Sequence, residues 1–223
     1  MKTRTSLLAI AALILMAVIP TGAKAQDPFK NLKENYLVTT VQTPNIVGFI
    51  TAYLSEPEDE HTGALADVWE KNLKNEPQEK GATLTVDKKG GYVRYELDYD
   101  IAYPDDKMGI KGVTEFCYWN CDDGKHKLFA ENVSTTQGGK PFFGQFDGLY
   151  IYAYDNSTKK LYMIDQDLLG LDDEIRGENI FRLPQKGKDI DVFFSDGTQK
   201  KLTWNGKGFT LKYAALKIVD TGR

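Results

Sequence analysis

Both cysteines of the chain and one of its two histidines fall within a single short stretch, FCYWNCDDGKHK, from Phe116 to Lys127. That set of side chains can serve as a disulfide, a zinc site or a reactive thiol. The residue pattern makes Val113 to Cys121 and His126 to Val133 two strands joined at Asp123-Gly124, a favoured hairpin turn. In that register Asp122 faces Lys125, Cys121 faces His126, Trp119 faces Leu128 and Cys117 faces Ala130. Cys117 and Cys121 then share one strand face but stand roughly 13 Å apart along it. A disulfide tolerates at most about 7 Å between Cα atoms. No disulfide is expected, and a Cys117–Cys121 bridge requires a bulge or helical turn at Tyr118-Trp119-Asn120. Zinc needs three or four ligands; Cys121 and His126 could supply two, and Cys117 is too far along the strand to be the third. No metal is expected. A catalytic thiol needs a base and an orienting group, and Asp122 and Asp123 raise a neighbouring thiol's pKa rather than lower it. The stretch reads as a hairpin carrying free cysteines.

Carboxylates are the next candidates. In YVRYELDYDIAY, alternation sends Val93, Tyr95, Leu97, Tyr99 and Ile101 to the core and Arg94, Glu96, Asp98 and Asp100 to the other face. Same-face neighbours on a strand lie about 6–7 Å apart, a separation at which Glu96, Asp98 and Asp100 could act as glycosidase acids. A solvated acidic face has the same geometry, so the pattern alone does not make a site. DQDLLGLDDEIR begins like a calcium loop, but Leu169 and Arg176 stand where oxygen ligands are required. That leaves Asp165, Asp167, Asp172 and Asp173 without a recognisable calcium frame. His61, in EPEDEHTG, reads as a solvated histidine in an acidic loop.

GLYIYAYD places Tyr150, Tyr152 and Tyr154 on one face, with Ile151 and Ala153 on the other. An exposed tyrosine row can stack sugars or contact a protein, and a tyrosine ladder is also an ordinary packing device. These three are the candidate binding residues. The sequons at Asn132 and Asn156 matter only in a glycosylating host.

The rest of the chain must position these groups. Residues 1–25 have a basic start, an apolar run from Leu7 to Ile19 and a small-x-small end at Ala23-Lys24-Ala25, the order of a secretory signal peptide. The run is shorter than the roughly 20 residues of a membrane helix, and no second one follows. The expectation is an exported chain, periplasmic or secreted, with no transmembrane segment after cleavage. Cleavage takes away Lys2, Arg4 and Lys24 but no acid, so the mature chain is more acidic than the formal −4 of the whole. Such a chain lacks the basic footprint that nucleic acid requires. Two cysteines do not make a disulfide scaffold, so stability must come from packing.

Residues 26–223 read as one α+β, mainly β domain. After Pro44, Ile46, Phe49, Ile50, Tyr53 and Leu54 recur at helical spacing up to Pro57, with Gly48 a weak point. Thr62 then caps a second helix from about Gly63 to Lys74, with Leu65, Val68, Trp69 and Leu73 as its buried stripe. The helical start runs to about residue 77. From about residue 82, turn clusters (DKKGG, DDGK, DNSTKK, SDGTQK, WNGKG) alternate with β-branched and aromatic runs. They predict an antiparallel meander of about seven to ten strands, open, barrel-like or a sandwich, with the N-terminal helices packed on it.

The phrases EPEDEHTGALADVW, EFCYWNCDDGKHKLFAENV and FDGLYIYAYD resemble stretches of small exported proteins of unknown function from Bacteroides-type bacteria. The resemblance runs through most of the mature chain and implies export from a Gram-negative cell. It implies no activity, cofactor or site residues. With no catalytic motif, two histidines and no cofactor loop, the sequence points to a non-enzymatic binding or interaction module for a protein or glycan, with no cofactor. The alternative is a glycan-acting hydrolase using Glu96, Asp98 and Asp100.

Overall fold

A computed structural model describes residues 27–55, 59–142, 144–171, 175, 179–194 and 196–212. The expected signal peptide, Pro57, Asp172, Asp173 and Arg176 lie outside the described residues. The first helix, α1, is Ile46–Tyr53, and Asn45 caps it by accepting the Gly48 N–H. Gly48 has a use beyond the cap: a Cβ there would meet the Thr43 carbonyl oxygen at 1.9 Å. Only glycine allows so close an approach of the preceding loop.

The second helix, α2, is Glu60–Leu73, and its cap is Asp59 rather than Thr62. The Asp59 carboxylate accepts the Thr62 N–H at 2.8 Å while the Thr62 hydroxyl faces the Asp59 backbone, a reciprocal capping box. Starting at Glu60 draws His61 into the first helical turn. Leu65, Val68 and Trp69 are buried as the stripe predicts, but Leu73 is 49% exposed. Among the described residues, the apolar cluster under the helices includes no α2 residue beyond Trp69, which leaves Leu73 outside it.

The protein is mainly β, with two antiparallel sheets and no closed barrel. The larger sheet contains β1 (Leu37–Thr40), β2 (Ala82–Asp87), β3 (Tyr92–Asp98), β4 (Ile110–Asn120), β5 (His126–Gln137), β6 (Lys140–Pro141), β7 (Gly148–Asp155) and β8 (Lys160–Met163). Its order is β1-β8-β7-β5-β4-β3-β2, with the short β6 paired to β5. From β2 to β8 this is the expected meander; β1 adds to the far edge beside β8. The chain must therefore cross the whole sheet between β1 and β2, and α1 and α2 make that crossing over one face.

The smaller sheet has the order β12-β11-β10-β9, from β9 (Asn179–Arg182), β10 (Ile190–Phe194), β11 (Gln199–Trp204) and β12 (Phe209–Lys212). It packs on the other face, so the central strands β4, β5 and β7 are covered on both sides. Phe116, Phe129 and Tyr154 pack under the helices with Phe49 and Trp69. Cys117, Trp119 and Leu128 pack with Phe181, Ile190 and Phe209 of the small sheet.

The cysteine hairpin keeps the predicted register: Cys117 faces Ala130 and Trp119 faces Leu128, without interruption from Ile110 to Asn120. The turn itself differs. Gly124, at φ 66°, donates its N–H to the Cys121 carbonyl, and Cys121 donates to His126. Asp122 and Lys125 do not bond to each other through the backbone: the Asp122 N–H donates to the Gly206 carbonyl of the β11–β12 turn, and the Lys125 carbonyl accepts the Asn156 N–H.

Candidate functional site

The strand expected over YVRYELDYDIAY ends at Asp98, and Tyr99–Ala102 form a helical turn, α3. The Asp100 carboxylate there accepts the Met108 and Gly109 N–H groups at 2.9 and 2.8 Å and so folds the next loop. The acidic stripe is thus broken: Asp100 is not a continuation of the Glu96 and Asp98 face. Tyr99 and Ile101 likewise leave the strand, and Ile101 is 45% exposed. Glu96 and Asp98 line a polar cleft of about 470 Å³ at the margin of the two sheets, with Arg94, Lys111, Glu115 and Arg182. Its acids are matched by cations. Arg94 donates to Glu96 at 2.6 Å and to Glu115 at 2.9 Å, and Lys111 pairs with Asp98 at 2.8 Å. The Lys111 hydrogen bond holds the Asp98 carboxyl below its ordinary range.

The tyrosine row shares one face as the alternation requires, but that face lies against the helices. Tyr154 is fully buried and donates to the Val41 carbonyl; Tyr152 is buried as well. Only Tyr150, at 36% exposure, reaches the surface. A row of three exposed rings does not form, because α1 covers its inner end.

Tyr150 and Tyr152 instead line a cavity of about 200 Å³ between the helices and the sheet. The cavity is assembled from separate parts of the chain. Tyr53 ends α1 on the stripe of Ile46, Phe49 and Ile50, and His61 stands one helical turn before Leu65 on the inner stripe of α2. Glu131 lies between Phe129 and Val133 on the same face of β5, and Phe146 comes from the loop before β7. Tyr36 and Met163 stand at the β1–β8 edge, where Met163 donates its N–H to the Tyr36 carbonyl.

Glu131, only 2% exposed, is the centre of this group. The Tyr53 hydroxyl donates to its Oε2 at 2.8 Å, and His61 Nε2 lies 3.3 Å from its Oε1. A carboxylate acceptor fixes Nε2 as a protonated nitrogen of His61. With the single Tyr53 proton committed to Glu131, the Tyr152 hydroxyl is the donor in its 3.1 Å contact with Tyr53. Burial, reinforced by the Glu131 charge, pushes the Tyr53 phenol far above its ordinary range, so it remains a donor at any working pH. Burial and the same carboxylate also raise Tyr150. The His61 ring stacks on Phe146 with centroids 5.6 Å apart. Burial would raise the Asp59 carboxyl, but the Thr62 hydrogen bonds and His61 outweigh it and hold it below its usual value.

The sequence reading left out Tyr36, Tyr53, Glu131, Phe146 and Met163 and took His61 as solvated. Glu131 had one available signal, an acid between two apolar residues of its own strand face. His61 had another, its spacing of four from Leu65.

Among the described residues no group of three His, Cys, Asp or Glu side chains is placed to hold a metal ion. Asp165 accepts the Asp167 N–H and shapes a 3-10 turn. Asn132 of the first sequon is fully buried, with its amide donating to Glu115 and to the Phe181 carbonyl. No helix among the described residues is long and apolar enough to cross a membrane. No protein-family model, curated protein or solved structure matches this chain.

Proposed function

We propose that the chain is an exported, non-enzymatic binding module, periplasmic or secreted, that takes one compact group of a protein or glycan ligand into the Glu131 cavity. The observation that carries this reading is the gradient across the cavity. Tyr36 is 60%, Met163 53% and Tyr150 36% exposed at its mouth, while Glu131 at its base is 2% exposed. Large apolar side chains held at the surface around a concave site with a few convergent polar groups are the features of a ligand pocket. The volume is below the roughly 300–1,000 Å³ of sites for drug-sized molecules, which restricts the occupant to a single ring or side-chain head.

The alternative, a glycan-acting hydrolase working through Glu96, Asp98 and Asp100, draws no comparable support. A general acid needs a raised pKa, whereas Asp98 is held low by Lys111 and Asp100 is occupied by backbone N–H groups.

The test is an amide-shift titration of the isotopically labelled mature protein with monosaccharides, amino sugars and N-acetylated amino-acid amides at millimolar concentration. Shifts should concentrate at Tyr36, Tyr53, His61, Phe146 and Tyr150 and vanish in Ala52→Trp, which fills the cavity. Shifts centred on the Glu96 cleft, or turnover of a glycoside, would count against the reading.

A further inference from the structure

The chemistry of the cavity specifies the charge of its occupant. Among the described residues, Asp59 and Glu131 contribute carboxylates to the lining, and no lysine or arginine does. Of these described lining residues, His61 is the one able to carry positive charge. Glu131 is as deeply buried as Glu115 on the paired strand, yet the two are compensated differently. Glu115 has the Arg94 guanidinium at 2.9 Å, whereas Glu131 has a phenol and an imidazole. A buried carboxylate is costly unless charge and hydrogen bonds answer it. Two donors also leave part of its roughly four lone-pair positions unused.

Around this carboxylate stand Tyr36, Tyr53, Phe146, Tyr150 and Tyr152. Aromatic faces attract cations, most strongly where water is excluded, and rings combined with a carboxylate recognise organic ammonium groups. An anion would meet two like charges. A sugar hydroxyl needs donors as well as acceptors, but the Tyr53 proton is committed to Glu131 and the Tyr150 proton to the Phe146 carbonyl.

Resting on the reading of this cavity as the ligand site, we infer that the group it takes is an organic ammonium cation. The ammonium lies among the tyrosine and phenylalanine rings and faces the Glu131 carboxylate. A lysine side chain, an amino sugar and a choline-like head share that chemistry.

The experiment is a calorimetric and amide-shift titration of the mature protein with three pairs of probes. These are choline against 3,3-dimethylbutan-1-ol, N-acetyl-lysine amide against N-acetyl-norleucine amide, and glucosamine against glucose. At least one cation should bind in the cavity about tenfold or more tighter than its neutral partner, a difference of about 1.4 kcal/mol; which pair responds identifies the source. Glu131→Gln should abolish the preference. Tyr150→Leu, at a rim position 36% exposed, should weaken the cation several-fold more than the neutral probe. Equal binding of cation and neutral partner in the cavity overturns the ammonium inference and leaves the binding site standing. No binding of any probe in the cavity overturns both.

Discussion

Glu115 and Glu131 occupy neighbouring positions on paired strands, Glu115 opposite Asn132 and Glu131 opposite Phe116, and point to opposite faces of one sheet. Glu115 faces the small sheet and accepts four donors: Tyr92, Arg94, Asn132 and the Leu183 N–H, at 2.7 to 3.1 Å. The Leu183 contact comes from the end of β9, so this carboxylate ties the two sheets together. Glu131 faces the helices and receives Tyr53 and His61. One buried acid is built into the core, and the other is left facing a cavity.

The two acids should therefore differ in what their removal costs. Glu115→Leu strands a guanidinium, a phenol, an amide and a backbone N–H, and should destabilise the protein by about 3 kcal/mol. Glu131→Gln keeps shape and an acceptor for Tyr53, and should cost about 1 kcal/mol. Urea unfolding of both variants measures the difference; equal losses would remove the distinction drawn between the acids.

Trp119 is the second tie between the sheets. Its indole Nε1 donates to the Lys188 carbonyl at 2.8 Å, and its ring meets Trp204 and Phe209 with centroids 6.0 and 5.2 Å away. Trp119→Phe should lose about 1 kcal/mol with the hydrogen bond, and Trp119→Ala about 3–5 kcal/mol with the ring. Hydrogen exchange in Trp119→Ala should accelerate in β10, β11 and β12 more than in β4 and β5. Uniform acceleration would show that the small sheet does not depend on this anchor.

Period-two alternation made the cysteine hairpin legible, because the register depends on neighbours close in sequence. The same rule put Tyr150, Tyr152 and Tyr154 on one face. It was silent on what covers that face, which is α1, about 100 residues earlier in the chain. The second helix begins three residues earlier than its pattern suggests, because Thr62 and Asp59 are both cap residues by type; the reciprocal bond decides for Asp59. That small shift carried His61 from an acidic loop to the cavity wall. The end of β3 at Asp98 was hidden because Tyr99 to Ile101 continue the alternation while the backbone coils into α3. The division of the strands into two sheets rests on contacts such as Leu183 with Glu115, which no local pattern encodes.

Acid should weaken the fold through Asp155. This buried carboxylate accepts the Ser157 N–H and hydroxyl at 2.7 Å and the Thr158 hydroxyl at 3.0 Å. Burial would raise its pKa, but these hydrogen bonds outweigh it and hold the folded value below the ordinary 3.8. A depressed folded pKa gives stability that is complete above the unfolded value and lost as pH falls through the folded one. The stability difference between the protein and Asp155→Asn should thus be largest near neutral pH and shrink below about pH 4. Urea midpoints across that range test it, and a difference that grows in acid would reverse the assignment.

The cysteines should behave as core residues. Cys117 and Cys121 are free and buried, both among the side chains packed against the small sheet. The strand between them keeps its register through Tyr118, Trp119 and Asn120, which holds the sulfurs beyond bridging distance. Burial drives the Cys117 thiol well above its ordinary value, and nearby Glu115 adds to the effect. Burial, with Asp123 and Asp122, pushes Cys121 up to about 12. Since only the thiolate attacks a disulfide reagent, neither group should react at mildly alkaline pH while the protein is folded. In denaturant without reductant both should titrate. Thiols that become visible only after reduction would show that the strand yields at Trp119 to form a bridge. Cys117→Ser should cost about 1–3 kcal/mol by placing a hydroxyl among apolar side chains, a penalty that a solvent-facing thiol would not incur.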